Sequence, residues 1–163
     1  MSPRRVMLAA AAMLATVLAG CANSSAPSPT TAASPTLDQP GQEQTLMRIR
    51  LTAGTAEATG HLYSNATSRD FASLLPVTIT THDLGGREIA GPLPRALTGG
   101  DGRSDYRAGQ LGYWSPSSDL AIYHHEDGFR IPSPGIVMIG EIETGLDAIL
   151  AAAPDRPLTI TTD

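Results

Sequence analysis

The sequence predicts a mainly β protein, a small closed eight-stranded β-barrel with two short capping helices. About eight short runs of aliphatic and β-branched residues are separated by turns rich in Gly, Pro, Asp and Ser, a pattern typical of small barrels. Two other short stretches have the apolar spacing of a helix. Aromatic residues make up only 4% of the chain against 41% hydrophobic residues, so the core must be mostly aliphatic.

Composition and charge exclude several classes of partner and site. The 163 residues include no Lys, and the formal net charge is −5. Loss of a leader that contains Arg4 and Arg5 would leave 11 − 2 = 9 basic against 16 acidic residues, a net charge of −7. An acidic domain without a basic stripe is not expected to bind nucleic acid. Cys21 is the only cysteine, which excludes an intrachain disulfide and a cysteine metal cluster, and no motif indicates a cofactor.

Residues 1–20 are predicted to be a cleaved signal peptide. Arg4 and Arg5 precede the apolar run Val6–Leu18, which is far shorter than the ~20 residues that span a membrane. The run leads into Leu-Ala-Gly-Cys, which resembles the bacterial lipobox, where the cysteine is diacylated and becomes the new N-terminus. The resemblance implies that Cys21 anchors the protein to a membrane, outside the cytoplasm, in a bacterial cell envelope. The alternative is an ordinary signal peptide followed by a free thiol.

Residues 21–45 are predicted to be a disordered linker that ties the lipid anchor to a domain at 46–163. The linker is rich in Ala, Ser, Thr and Pro and has no aromatic residue, so it cannot bury enough apolar surface to offset its ordering entropy. Its four prolines also disfavour helix and sheet. The expected role of this segment is reach from the membrane.

The first half of the domain alternates in the manner of β-strands. Met47–Leu51 alternates strictly, and Ala56–Tyr63 is its expected return strand. Val77–Thr81 is rich in β-branched residues and predicts a third strand. Asp83–Gly86 is expected to be a turn, followed by a strand at Arg87–Leu93 whose prolines confine it to an edge or a bulge.

A short helix is predicted between the second and third strands. Thr67 and Asp70 have the spacing of a capping box at its start. Phe71 and the pair Leu74–Leu75 share one apolar face, and Pro76 ends the helix. We expect Phe71 to plug one end of the barrel.

A hairpin at Gly109–His125 organises the second half of the domain. It contains the only Trp and two of the four Tyr, and a Ser/Pro turn joins its strands. Strand alternation places Tyr113 on one face of the sheet and Trp114 on the other, with Tyr123 opposite in orientation to Ile122.

The chain is expected to close the barrel after this hairpin. Ile136–Ile142 is a continuous apolar strand, Gly145–Ala153 has a helical apolar stripe that Pro154 ends, and Leu158–Thr161 is a last strand. Thr98–Arg103, before the hairpin, is predicted to be a flexible Gly/Asp-rich loop.

Several of these segments resemble a known family. Ile139–Ile149, with the sequence IGEIETGLDAI, resembles the closing segment of cyclophilins, where a strand runs through Gly-Met/Leu-Asp into a short helix. Four earlier segments resemble a compact bacterial cyclophilin-like family: Met47–Ile49, Asn65–Pro76, Leu93–Arg95 and Gly112–Tyr123. The resemblance covers Leu46 to about Ala152 and implies an eight-stranded barrel capped by helices.

The resemblance does not imply prolyl isomerase activity. The Phe-x-Arg context and the Gln-Gly-Gly-Asp-like stretch of true cyclophilins are not found, and Arg95, in Pro-Arg-Ala, is the nearest equivalent of the catalytic arginine. The candidate site is a groove lined by Arg95, Tyr113, Trp114 and Tyr123, since aromatic side chains give rigid contact surface and Arg can hold a carbonyl or carboxylate. The alternative is that Tyr113 is core and Trp114 a packed surface residue.

Two polar clusters have the residue types of a site but not its spacing or motif. His124–Asp127 reads His-His-Glu-Asp, but adjacent histidines on a strand point to opposite faces, so a solvated strand end is predicted instead of a metal site. Ser117, Asp119 and His125 contain the residue types of a hydrolase triad, but no nucleophile-elbow motif supports one.

Three functional hypotheses follow. The preferred one is a lipid-anchored cyclophilin-like module that binds a peptide or a small ligand. The second is a divergent peptidyl-prolyl isomerase that uses Arg95 to polarise the proline amide nitrogen. The third is a structural envelope protein without a ligand. A concave patch around Trp114 would favour the first two, and a surface without an apolar groove would favour the third.

Overall fold

The computed structural model describes residues 44–163, and the fold class predicted from the sequence is confirmed. The predicted signal peptide, Cys21 and most of the predicted linker lie outside these residues. The strands are β1 Thr45–Ala53, β2 Ala56–Tyr63, β3 Val77–Thr80, β4 His82–Leu84, β5 Glu88–Pro92, β6 Gln110–Trp114, β7 Asp119–Tyr123, β8 Val137–Thr144 and β9 Pro157–Thr162; the helices are α1 Ala66–Ala72 and α2 Leu146–Ala152.

One antiparallel sheet contains every strand of the described chain, in the order β3-β9-β1-β2-β8-β6-β7-β5-β4. The two edge strands, β3 and β4, are consecutive in sequence and meet at Thr81, so the sheet curls back on itself into a nearly closed barrel. Nine strands replace the predicted eight. The additional strand is His82–Leu84, which overlaps the turn predicted at Asp83–Gly86, and it pairs with β5 from His82↔Ala90 to Leu84↔Glu88.

Thr81 lies between β3, which pairs with β9, and β4, which pairs with β5. Its side chain is fully buried, its Oγ1 donates to the Ala153 carbonyl at 3.3 Å, and its carbonyl accepts from Asp155 N at 2.6 Å. The neighbouring backbone approaches β5 very closely, because a Cβ on Gly91 would lie 2.3 Å from the Thr80 carbonyl oxygen. A glycine on β5 therefore permits the closure.

The barrel interior is aliphatic, as the composition predicts. Alternate residues of the strands point inward and are fully buried, among them Ile49, Leu111, Leu120, Ile139 and Ile160. Each helix adds one fully buried apolar side chain to this interior, Phe71 from α1 and Ile149 from α2.

The start of α1 differs from the predicted capping box. Asn65 is the N-cap residue, and its Oδ1 accepts hydrogen bonds from Ser68 N at 2.8 Å and Ser68 Oγ at 2.9 Å. Thr67 lies inside the first turn and is buried, while the Asp70 carboxylate accepts hydrogen bonds from Arg95 and Thr98 and not from the helix start. Asn and Thr are both good N-caps, so residue type alone did not decide between the two positions.

A second apolar cluster lies on the outer face of the sheet. It consists of outward-facing residues of β2, β5, β7 and β8 and of residues from the loop between β7 and β8: Tyr63, Ala90, Ala121, Tyr123, Ile131, Ile136 and Met138. The segment 124–136, between β7 and β8, therefore packs onto the barrel wall. Neither helix of the described chain is long and apolar enough to cross a membrane.

Candidate functional site

Two small residues open a hollow in the outer wall of the barrel. Ala90 on β5 and Ala121 on β7 are direct cross-strand partners, and both point outward. Larger side chains surround this pair on the same face, which leaves a cavity of about 340 Å³ above the two alanines. We call this cavity, with its Ala90–Ala121 floor, the outer pocket.

The two ends of the outer pocket have different side chains. Trp114 and Asp119 are cross-strand partners at one end, and Glu88 and Tyr123 are partners at the other. Asp119 and Tyr123 are four residues apart on β7, so the ends are separated by about 13 Å along the strand. The pocket thus has an aromatic residue and a carboxylate at each end of an apolar floor.

The segment 124–136 forms the outer wall of the pocket. Phe129, Ile131 and Ile136 line the cavity from this side. Gly112 on β6 lets the wall lie close to the sheet, because a Cβ at this position would be 2.5 Å from Ile136 Cγ1. The width of the pocket therefore depends on a glycine in the organising hairpin.

Asp127 and Arg87 hold this wall against the barrel. The Arg87 guanidinium donates to the Asp127 carboxylate, with Nη2 to Oδ2 at 3.0 Å, and lies 4.0 Å from the centre of the Phe129 ring. Tyr106 donates to Asp127 Oδ1 at 2.9 Å and stacks on Tyr123. The Arg87 guanidinium, together with these hydrogen bonds, holds the pKa of the Asp127 carboxyl well below its usual range.

Glu88 is the titratable group most affected by this environment. Burial raises the pKa of its carboxyl, and the Tyr123 hydroxyl, Arg87 and His124 oppose the rise only in part. Burial and the adjacent Glu88 charge also raise the pKa of the Tyr123 phenol. A carboxyl beside a neutral phenol, half withdrawn from water, is suited to binding a hydrogen-bond donor or a cation.

The structure divides the four candidate groove residues among different places. Trp114 and Tyr123 both line the outer pocket, at opposite ends. Tyr113 lies in the barrel interior, where its hydroxyl accepts from Leu97 N at 3.1 Å. The alternation of faces expected for the hairpin is therefore present, and it separates Tyr113 from its neighbour Trp114.

Arg95 does not line the outer pocket. Its Nη2 donates to Asp70 Oδ1 at 2.6 Å and to Ser73 Oγ at 2.8 Å, which ties the chain after β5 to α1. Thr98 adds a backbone hydrogen bond to Asp70 Oδ2 at 2.5 Å. The Arg95 guanidinium and these donors hold the pKa of the Asp70 carboxyl well below its usual range.

The polar cluster at the end of the hairpin does not converge on one point. Asp127 binds Arg87, Glu126 accepts from Ala108 N at 2.9 Å, and His124 Nε2 lies 3.7 Å from Asp83 Oδ2. Within residues 44–163, no group of three or more His, Cys, Asp or Glu side chains is arranged to hold a metal ion.

Ser117 and Asp119 are close, as a hydrolase triad requires, but His125 is not part of the same arrangement. Ser117 Oγ donates to Asp119 Oδ2 at 2.5 Å. His125 is exposed and follows the opposite end of β7, where its backbone N–H donates to the Arg87 carbonyl at 3.2 Å. The described contacts give no Ser–His–Asp relay.

A second hollow, of about 420 Å³, lies between the start of α1 and the loop at 100–103. Thr67 Oγ1 is buried there without a hydrogen-bond partner within the described chain. This hollow has no aromatic side chain in its lining. Ligand sites are mostly apolar with a few placed polar groups, so the outer pocket is the better candidate.

Glu88, Ala90, Ala121 and Phe129 were missed as site residues. The signal for part of the set was present, because period-two alternation gives β5, β6 and β7 an outward row of Ala90, Gly112 and Ala121. Three small residues side by side on one face indicate a hollow or a close approach. The position of Phe129 in the pocket lining could not be predicted from strand alternation, because this residue lies in a loop without periodicity.

Comparison with known proteins supports the same fold. A family model described as the Cyclophilin-like family matches residues 51–161. The chain also resembles the solution structure of a hypothetical protein from Archaeoglobus fulgidus, with a TM-score of 0.60 and 22% identity over 74% of this chain and 98% of that one. No curated protein matches the sequence. The family match covers most of the chain, which therefore belongs to the cyclophilin-like family.

Proposed function

We propose that this protein is a lipid-anchored, extracytoplasmic module whose cyclophilin-like domain binds a small ligand or a short peptide in the outer pocket. The observation that carries the proposal is the apolar hollow of about 340 Å³ above Ala90 and Ala121. Its two ends supply Trp114, Tyr123 and a half-buried Glu88. Small-ligand sites combine an apolar concave surface with a few convergent polar groups in this way.

The lipid anchor is supported by the sequence that precedes the domain. The order of positive charge, short apolar run, small residues and Cys21 is that of a lipobox. Two acyl chains contribute about 0.8 kcal/mol per buried methylene and give stable anchoring. The linker would then set the reach of the outer pocket from the membrane.

The isomerase hypothesis is not favoured by the geometry. It required Arg95 beside an apolar groove, and Arg95 instead binds Asp70 and Ser73. The arginine that does line the outer pocket, Arg87, is engaged by Asp127. Isomerase activity is therefore an outcome to be tested alongside binding.

Two-dimensional amide NMR of the purified full chain, with Cys21→Ser to prevent acylation, tests the proposal. The probes are a library of small apolar fragments and a set of Xaa-Pro peptides. Binding is expected to shift the amide signals of Ala90, Ala121 and Tyr123 and the indole signal of Trp114. Shifts confined to other residues, or none at millimolar probe, would contradict it. Exchange between the proline isomers faster than background would restore the isomerase hypothesis.

A further inference from the structure

The outer pocket carries more negative than positive charge. Glu88 and Asp119 both line it, and Arg87 is the basic residue of its lining within the described chain. Arg87 is already neutralised, since its guanidinium donates to the Asp127 carboxylate over distances of 3.0, 3.2 and 3.3 Å. Asp119 accepts a hydrogen bond from the neutral Ser117 hydroxyl. The charge that remains for a ligand is therefore negative.

Glu88 is the carboxylate that lies in the more apolar part of this lining. Leu84 is its cross-strand partner on β4, and Ala90 lies beside it on the same face of β5. Tyr123 is its cross-strand partner on β7, and within residues 44–163 its carboxylate forms no ion pair. Partial burial of a carboxylate without a cation is unfavourable, and a cationic ligand would offset that cost.

We propose that the outer pocket selects a small organic cation, a ligand whose ammonium group pairs with Glu88 and whose apolar body lies on the Ala90–Ala121 floor. This inference rests on the proposed function and names its ligand class. The exposed side of Trp114 faces the far end of the floor and offers an aromatic surface to the same ligand. A charge-assisted hydrogen bond to Glu88 is about twice as strong as a neutral one, so it favours an amine over a neutral ligand of equal shape.

The size of the cavity favours a small molecule. About 340 Å³ is at the lower end of the ~300–1,000 Å³ range of small-molecule sites. An anionic ligand of the same size would face two carboxylates without a free cation, and repulsion would weaken its binding.

Isothermal titration calorimetry with three ligands of similar shape and different charge tests this selection. The probes are phenethylamine, phenethyl alcohol and hydrocinnamate, added at neutral pH to the purified full chain with Cys21→Ser. The amine is expected to bind about tenfold more tightly than the alcohol, and the carboxylate more weakly than both. Added salt should weaken binding of the amine and leave binding of the alcohol unchanged.

A pair of variants assigns the effect to Glu88. Glu88→Gln keeps the shape of the side chain and removes its charge, so the advantage of the amine over the alcohol should disappear. Asp147→Asn removes one negative charge from an exposed position on α2 and should leave that advantage intact. Circular dichroism checks that both variants fold. If a variant does not fold, the comparison of the three probes on the protein with Glu88 and Asp147 intact still tests the selection.

The outcomes separate this inference from the proposed function. If the alcohol or the carboxylate binds as tightly as the amine, or if Glu88→Gln leaves the preference unchanged, the pocket binds ligands but does not select cations. If neither these probes nor the fragment library shifts the signals of the outer pocket, the proposed function and the inference both fail.

Discussion

Glu88 and Tyr123 face each other as direct cross-strand partners of β5 and β7 at one end of the outer pocket, where burial raises the pKa of the Glu88 carboxyl and the Tyr123 hydroxyl opposes the rise only in part. The pair places a titratable group in the lining of the outer pocket. The charge at this end of the outer pocket depends on pH, because it belongs to the Glu88 carboxyl, whose pKa is raised by burial.

Glu88→Gln is expected to raise the stability of the domain at neutral pH. The pKa of the Glu88 carboxyl is higher in the folded state than in the unfolded state, so the folded protein holds this proton more tightly. The stability of the unmodified domain therefore falls as the pH rises above the pKa that this carboxyl has in the unfolded state. The variant avoids that loss. The gain in melting temperature should shrink below a pH of about 4, where the carboxyl is protonated in both states.

Thermal melts of Glu88→Gln across this pH range check the prediction, with Asp147→Asn as a control for the loss of one negative charge. A stability difference that does not change with pH would contradict the assignment. The groups that face Glu88 from the neighbouring elements are Tyr123, Arg87, His124 and Asp83, so their titration must be considered in the fit.

The two phenylalanines of the chain should behave in opposite ways. Phe71 is fully buried in the barrel interior, and Phe71→Ala is expected to cost about 3–5 kcal/mol of unfolding free energy. Phe129 is 43% exposed on the wall of the outer pocket, and Phe129→Ala should change stability by less than ~1 kcal/mol while weakening binding of apolar fragments. Urea denaturation and the fragment titration measure both effects. Equal destabilisation by the two variants would contradict the division into interior and outer clusters.

Gly112→Ala is expected to disturb the outer pocket without opening the barrel interior. The added methyl group would lie 2.5 Å from Ile136 Cγ1 and 3.3 Å from the Tyr123 ring, so the wall at 124–136 must move outward. Overpacking of this kind costs about 1–3 kcal/mol. Gly99→Ala is the matched control, because a Cβ there meets nothing within 4 Å.

Amide NMR of the two glycine variants should show shifts on Ile136 and Tyr123 for Gly112→Ala and only local shifts for Gly99→Ala. Unchanged signals from the wall in Gly112→Ala would mean that the loop does not rest on β6 as described.

Cys21→Ala is expected to release the protein from the membrane. Without the thiol there is no acylation site, and the acyl chains are what the proposal makes responsible for stable anchoring. Fractionation of the expressing bacteria, followed by immunoblotting of the full chain, measures the distribution. A Cys21→Ala protein that stays in the membrane fraction would contradict the lipid anchor, and Ala22→Ser, which keeps the cysteine, should remain membrane-bound.

The sequence was a sufficient guide where periodicity determines structure. Strand alternation placed Tyr113 and Trp114 on opposite faces of the sheet, although it did not say which face is the interior, and the barrel with two helices followed from short runs bounded by turn residues. It was insufficient for β4, whose three residues His82–Leu84 are all exposed and carry no apolar pattern. This segment is a strand because its backbone pairs with β5, and not because its side chains are buried.

The candidate site could be predicted only in part for a related reason. Trp114 and Tyr123 were found because rare aromatic residues on strands are conspicuous, but Arg95 was grouped with them on family resemblance and binds Asp70 instead. The wall that completes the outer pocket comes from a loop, and its position depends on the Arg87–Asp127 pair, 40 residues apart in the chain. Such long-range pairing leaves no local signal.

The most direct test of the central claim, that the outer pocket is a ligand site, is the indole N–H signal of Trp114 during a titration with phenethylamine. Trp114 is the only tryptophan of the chain, so this side-chain signal is unambiguous. We predict a saturable shift of the indole signal together with the amide signals of Ala90 and Ala121, and a weaker response in Glu88→Gln. An indole signal that stays in place at millimolar amine, and with every member of the fragment library, would contradict the account.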